Sequence, residues 1–236
     1  AADTIVMDGV TATGKVHSVD GGAGADTITG GAGAETLLGG AGNDSIDAAA
    51  GDDSINGGAG NDIIVMNTAL DLTAADTVDG GDGTDSMTLT IAASVSPTLT
   101  SVENIDLTTT NTTTLTLDNA SDVTRVDIEN GSANTITLSG MATGGTVRLF
   151  DANTSIVADT AVGGELTIDS HLDSTGSTSV TDAATVNIVS TITGAGNAGD
   201  ITSLSLDTVD TTALTVTGGT VTSTDVDTGN ITNTNA

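Results

Sequence analysis

The chain has 236 residues, with 32 acids against three basic residues and a formal net charge of −29. This charge sets it against nucleic acid and anionic membranes and makes cations its natural counter-ions. One Phe, no Trp and no Tyr leave a conventional globular core without its large fillers, and the lack of cysteine excludes disulfides and thiolate metal sites.

Regularly spaced Ile, Leu and Val in a chain with one proline argue against disorder and for thin aliphatic stacks. Residues 1–20 read as a lead-in segment. The opening "AADTIVMDGV" lacks the basic and apolar regions of a secretion leader, so the chain reads as mature or as a fragment. No run approaches the roughly 18 apolar residues of a membrane span, so no membrane insertion is expected. "GVTATGKV", Gly9 to Val16, nearly spells a phosphate loop, but Val16 stands where a hydroxyl belongs and no helical pattern follows. His17 and His171 have no second histidine at ligand spacing and read as solvated or turn residues.

A nonapeptide then repeats: "GGAGADTIT" from Gly21, "GGAGAETLL" from Gly30, "GGAGNDSID" from Gly39, "AAAGDDSIN" from Ala48 and "GGAGNDIIV" from Gly57. After an insertion over 66–79, "GGDGTDSMT" follows from Gly80. Phase six is acidic (Asp26, Glu35, Asp44, Asp53, Asp62, Asp85) and phase eight is apolar (Ile28, Leu37, Ile46, Ile55, Ile64, Met87). Glycines permit a tight, oxygen-lined loop, and the polar–apolar–polar triplet after it has the period of a strand with one inward side chain. Each unit reverses the chain, so two units, 18 residues, should complete one coil. Odd and even repeats then line opposite edges, with Asp26, Asp44 and Asp62 on one and Glu35 and Asp53 on the other.

Carboxylates stacked about 4.8 Å apart, the strand spacing, repel by roughly 1 kcal/mol even in water. A hard divalent cation between loops removes the conflict. Calcium accepts an oxygen shell of carboxylate and carbonyls, magnesium prefers a smaller hydrated octahedron, and zinc wants His or Cys that these loops lack.

From residue 89 to 236 the glycine code stops and Thr and Ser surround short alternations such as "SVENIDLT", "TRVDIE", "TVRLFD" and "ELTID". Centres near Ile105, Thr116, Asp127, Thr137, Leu149, Ile156 and Thr167 predict strands ten or eleven residues apart, and a solenoid of roughly twenty-residue coils with a β-sandwich as its rival. Arg125 and Arg148 are expected to pair with nearby acids, Phe150 to plug the core or a coil edge, and Asp118, Asp122, Asp151 and Asp207 to serve turns. Asp52-Asp53 is read as part of the metal repeat rather than as an acid–base pair, and no catalysis is expected.

Gly21 to Val65 and Gly80 to Thr88 resemble the RTX pattern G-G-x-G-x-D-x-U-x, whose fold is a calcium-binding parallel β-roll. The resemblance implies several calcium ions held by phase-six carboxylates and loop carbonyls. The residues are Gly22, Gly24, Asp26, Gly31, Gly33, Glu35, Gly40, Gly42, Asp44, Gly51, Asp53, Gly58, Gly60, Asp62, Gly81, Asp82, Gly83 and Asp85. The longer Glu35 and the Ala48-Ala49 replacement predict a weaker second edge. The expected fold is all-β: a right-handed parallel β-solenoid, with a calcium-binding β-roll over 21–88 followed by Thr-rich β-helix-like coils over 89–236. The run of "GGDGTDSMTLT", "SVENIDLT" and Thr-rich strands also resembles bacterial surface-layer proteins with RTX repeats, and large RTX adhesins. That resemblance implies type I secretion, an extracellular cell-surface location, copies of the same chain as lattice partners and a cell-surface polysaccharide as anchor.

Overall fold

The computed structural model describes residues 1–7, 17–68, 71–129, 135–142, 144–150, 155–170, 177–190, 201–207, 213–217, 221–226 and 231–233, and beyond residue 150 it describes side chains only at 166–168. Among these residues there is no helix. The first half contains β1 (Thr4–Val6), β2 (His17–Ala23), β3 (Thr27–Thr29), β4 (Glu35–Ala41), β5 (Ser45–Asp47), β6 (Ser54–Ala59), β7 (Ile63–Met66), β8 (Thr77–Asp82), β9 (Ser86–Ile91), β10 (Thr98–Thr100) and β11 (Asn104–Thr109). Odd-numbered strands stack on one face and even-numbered strands on the other, all in parallel. This is a β-solenoid, and the all-parallel pairing removes the sandwich alternative, which needs antiparallel sheets.

Register sets the coil length. Ile28 stacks on Ile46 and Ile46 on Ile64, so these coils are 18 residues long. Phase eight thereby builds a continuous core column on one face: Ile28, Ile46, Ile64, Met87, Ile105, Val126, Val147 and Ile168, each fully buried. Val19, Leu37, Ile55, Val78 and Leu99 form the facing column. Each buried aliphatic contributes about 1.5–3 kcal/mol relative to exposure. One inward residue per triplet suffices because the facing column supplies the other wall.

The lead-in is already part of this stack, since β1 pairs with β3 and β2 with β4. The insertion also differs from its reading. Ile55 stacks on Val78 and Ile64 on Met87, a coil of 23 residues rather than 18. Five residues are therefore extra, and Asp71 to Asp79 supply a repeat with the loop glycines missing.

The second half contains β12 (Thr113–Thr116), β13 (Arg125–Ile128), β14 (Thr135–Met141), β15 (Gly145–Leu149), β16 (Ser155–Ser170), β17 (Ser177–Ser190), β18 (Ile201–Asp207), β19 (Ala213–Thr217), β20 (Val221–Val226) and β21 (Ile231–Asn233); β13 and β15 continue the odd-numbered face, whereas the even-numbered sheet ends at β10 and β12 pairs onward with β14. Coils here are about twenty residues long, as expected; Val126 to Val147 and Val147 to Ile168 are both steps of 21. The centres near Ile156 and Thr167 fall within one strand. β16 pairs with β14 through its first part and with β15 through its last, joining β12 and β14 to the odd-numbered sheet, while β2, β4, β6, β8 and β10 remain a separate sheet.

Arg125 and Arg148 converge on the same acid, Asp127, at 3.4 and 2.8 Å. The Arg148 guanidinium also lies 4.8 Å from the centre of the Phe150 ring, so Phe150 is half-buried beneath a cation. Asp122 accepts the N–H of Ser101 from the neighbouring coil, and Asp118 is exposed after β12. Asp207 closes β18. The Gly9–Val16 loop, Asp151 and His171 lie outside the described residues.

Candidate metal centre

The loops joining even to odd strands form a first edge, and those joining odd to even strands form a second. On the first edge the glycine pattern gives one backbone shape four times. Gly22, Gly40, Gly58 and Gly81 have φ of 88, 109, 105 and 98°. Gly24, Gly42, Gly60 and Gly83 have φ of 133, 137, 137 and 150°. L side chains rarely adopt these angles, so the glycines fix the loop.

This loop delivers each phase-six carboxylate into a buried column. Asp26, Asp44, Asp62 and Asp85 are each 2 % exposed or less. One oxygen of each does structural service: Asp3, Asp26, Asp44 and Asp62 donate their backbone N–H to the Oδ1 of the acid one coil on, at 2.6–2.7 Å. The ladder ends when Asp85 donates to Glu103 Oε2 at 2.7 Å. Hydrogen bonds to a charged acceptor contribute about 1.5–3 kcal/mol each, so the bare column has a stitch the electrostatic argument leaves out.

The other oxygen has no such partner. Oδ2 of Asp26, Asp44, Asp62 and Asp85 is buried without a hydrogen bond. Each lies against the first glycine of its own loop. A side chain at Gly21 would meet Asp26 Oδ2 and the Gly39 carbonyl, each at 2.7 Å, and one at Gly39 would meet Asp44 Oδ2 at 2.5 Å and the Gly57 carbonyl closer still. Gly57 and Gly80 repeat the arrangement with Asp62 and Asp85. A buried oxygen pair converging on a space only glycine leaves open suits a hard cation. No three acid or histidine side chains converge at one point among the described residues, so each carboxylate works with backbone oxygens. Burial pushes the carboxyls of Asp62 and Asp85 above their ordinary range, with neighbouring acids adding to it.

The second edge is less regular. Glu35 and Asp53 are buried, and Glu35 donates its N–H to Asp53 Oδ1 at 2.8 Å, as Asp53 does to Asp76 Oδ1 at 2.7 Å. The column stops there, because Pro97 holds the next position, just before the Thr77–Thr98 pair. Glu35 turns its Oε2 back onto the N–H of its own Gly31 at 3.1 Å. Ala49 takes the place of the second glycine at φ 60°, and Gly51 is nearly extended at 159°. Gly31 and Gly33 lack the positive φ of their first-edge counterparts. Burial, then neighbouring Glu35, Asp76 and Asp52, push the Asp53 carboxyl to about 7.

The structure thus brings Asp26, Asp44, Asp62 and Asp85 into one column, with glycines 22, 24, 40, 42, 58, 60, 81 and 83 shaping its loops. It leaves the Asp82 side chain exposed while the Asp82 carbonyl accepts the N–H of Gly60 at 2.8 Å. Sequence reasoning missed Asp3, Asp76 and Glu103, which occupy phase six without a double glycine, and the phase-one glycines Gly21, Gly39, Gly57 and Gly80. The signal for Asp76 was present: Val78 follows it by two residues, as phase eight follows phase six. His17 also stands at phase six, in register with Glu35, rather than at a solvated turn.

The family model described as RTX calcium-binding nonapeptide repeat (4 copies) matches residues 18–46, 29–64 and 67–89. The third match runs through Asp76, in agreement with its place in the second column. No curated protein gives a significant match to the chain. Residues 18–89 carry RTX repeats, and these imply calcium binding. Proteins with such repeats are typically secreted and extracellular.

Proposed function

We propose that this chain is a calcium-folded structural segment of a bacterial surface layer, with no catalytic role, whose lattice partners are copies of itself. The observation that carries the reading is the unbroken core column from Ile28 in the glycine repeats to Ile168 in the Thr-rich coils. A rod whose two halves share one column passes the order of the calcium-binding coils to coils in which, among the described residues, the carboxylate ladder does not continue.

Bound calcium supplies the positive charge that the buried Oδ2 atoms of Asp26, Asp44, Asp62 and Asp85 lack. The chain's own residues do the rest. Glycines hold the loop open, Oδ1 atoms stitch coil to coil, and aliphatic residues fill the interior. Because a cation held this way binds only the folded coils, its binding energy becomes folding energy. Affinity near 0.1–1 mM would suit an extracellular module, loose where calcium is scarce and folded where it is plentiful.

The test is circular dichroism with light scattering during a calcium titration from chelator to about 10 mM, followed by electron microscopy. A cooperative gain of β signal and then ordered sheets are expected. Folding without assembly would replace the coat reading with that of a spacer in a large adhesin, and no response would overturn the calcium reading.

A further inference from the structure

The glycine that opens a first-edge loop leaves the residue before it open to a side reaction. Gly57 is fixed by the cradle, since an added Cβ would run into Asp62 Oδ2 and the Gly80 carbonyl. The residue before it is Asn56, half-buried in β6. Asparagine followed by glycine is the pair most prone to ring closure, because no Cβ hinders attack by the glycine nitrogen. Asn43 and Asn61 on the first-edge loops precede aspartates instead, and the chain's other such pair, Asn130 and Gly131, lies outside the described residues.

The fold restrains Asn56 in two ways. β6 is paired on both sides, with Asn56 in register with Leu38 and Asp79, and an extended backbone turns the side chain away from the next nitrogen. The carboxamide is also held, donating Nδ2–H to Asp79 Oδ2 at 3.1 Å. An unfolded chain has neither restraint.

We propose that the Asn56–Gly57 junction is a calcium-gated site of spontaneous deamidation, closed in the folded coils and open when the chain lacks the cation. The Gly57 amide nitrogen loses its proton and attacks Asn56 Cγ, and the side-chain amide leaves with that proton as ammonia. Water then opens the succinimide. Cleavage of the new N–Cγ bond gives aspartate, and cleavage of the original peptide bond gives iso-aspartate, whose main chain runs through Cβ and Cγ. Neither product can return the hydrogen bond to Asp79, and each sets a second carboxylate near it across the strands, where like charges repel. Iso-aspartate also lengthens the backbone just before the crowded Gly57. A chain left without calcium therefore loses, one way, the register its columns need. The gate rests on the calcium reading, whereas the chemistry of the junction does not.

The test incubates the whole chain in calcium, in chelator and in urea. Peptide mass spectrometry that separates iso-aspartate from aspartate follows residue 56, and circular dichroism follows the fold in the calcium and chelator samples. Urea sets the open rate. Chelator should approach it, and calcium should slow it by about tenfold or more, the protection a closed strand gives. The purified iso-aspartate product should recover less β signal in calcium than Asn56→Asp, which adds the charge without lengthening the backbone. Asn56 that stays intact in urea, that deamidates at the urea rate while calcium holds the β signal, or whose iso-aspartate product refolds like the unaltered chain would each overturn the site. Failure of the calcium reading would show separately, as a β signal that does not respond to calcium, and would remove calcium from the gate.

Discussion

The two edges are built from the same nonapeptide, yet only one keeps its shape. On the first, four loops share one set of glycine angles, and the free carboxylate oxygens of Asp26, Asp44, Asp62 and Asp85 recur in the same surroundings. On the second, the successive units begin Gly30, Ala48 and Asp71, and the extra residues of the 23-residue coil enter there. The difference lies beside the first residue of the loop. A side chain at Gly39 or Gly57 meets a carboxylate, whereas one at Gly30 meets the Ala48 carbonyl and the Leu37 side chain, and Ala48 already carries a fully buried methyl. The next coil's carbonyl crowds phase one at Gly30 as it does at Gly39 and Gly57, and what sets the first edge apart is that a carboxylate oxygen shares that space.

Breaking the first edge at that point should have the largest effect. Gly57→Ala drives a methyl into Asp62 Oδ2 and the Gly80 carbonyl. It should destabilise the calcium-loaded fold by about 2–4 kcal/mol, within the range for overpacking and its strain, as read from thermal melts. Melts of Gly57→Ala and the unaltered chain that coincide would show that the cradle is slack.

The next comparison sets acid against acid. Asp44→Ala should weaken calcium binding more than Glu35→Ala, since Asp44 sits between Asp26 and Asp62 while Glu35 folds onto its own loop. Asp44→Asn sharpens the contrast. Its amide oxygen can still accept the Asp26 N–H, so the apo fold should survive while calcorimetric calcium uptake at that rung is lost. Equal losses for Asp44→Ala and Glu35→Ala would dissolve the distinction between edges.

Protons should compete with calcium. In the metal-free fold Asp53 titrates at about 7 instead of 3.8. Between those values the folded chain holds a proton that the unfolded chain has released, so stability falls as pH rises through that window. Chelator-treated protein should therefore melt higher at pH 5 than at pH 7.5, whereas calcium affinity should rise over the same interval because binding expels the proton. A flat apo profile would mean that water reaches Asp53. The smallest effect is expected at Ala49, whose φ of 60° is costly for any residue with a Cβ. Ala49→Gly should raise stability by about 0.5–1 kcal/mol, net of the greater freedom glycine gives the unfolded chain.

The two-edge solenoid was legible in the sequence because phases six and eight repeat without exception over Gly21 to Val65. Asp76 and Glu103 were not, because they stand in units without the glycines that make a loop and only the acid–apolar spacing that makes a column marks them. The division of labour between Oδ1 and Oδ2 was beyond reach, since it depends on which backbone N–H the neighbouring coil presents. Arg125 and Arg148 were expected to find acids. Arg125 finds Asp127 two residues along its own strand, as the sequence suggests, but that Arg148 shares the same acid follows only from the register that stacks Asp127 on Arg148. In the Thr-rich half, periodicity showed strand spacing but not that β16 would be long enough to pair with both β14 and β15.

The 18-residue register also constrains how such a gene can lengthen or shorten. Replication slippage or unequal recombination that gains a single nonapeptide would hand every later loop to the opposite edge, placing alanine-bearing units over carboxylates that need glycine. Only paired gains and losses keep the edges in phase. Inheritance in this stretch should therefore proceed by whole coils, and odd copy changes should be purged.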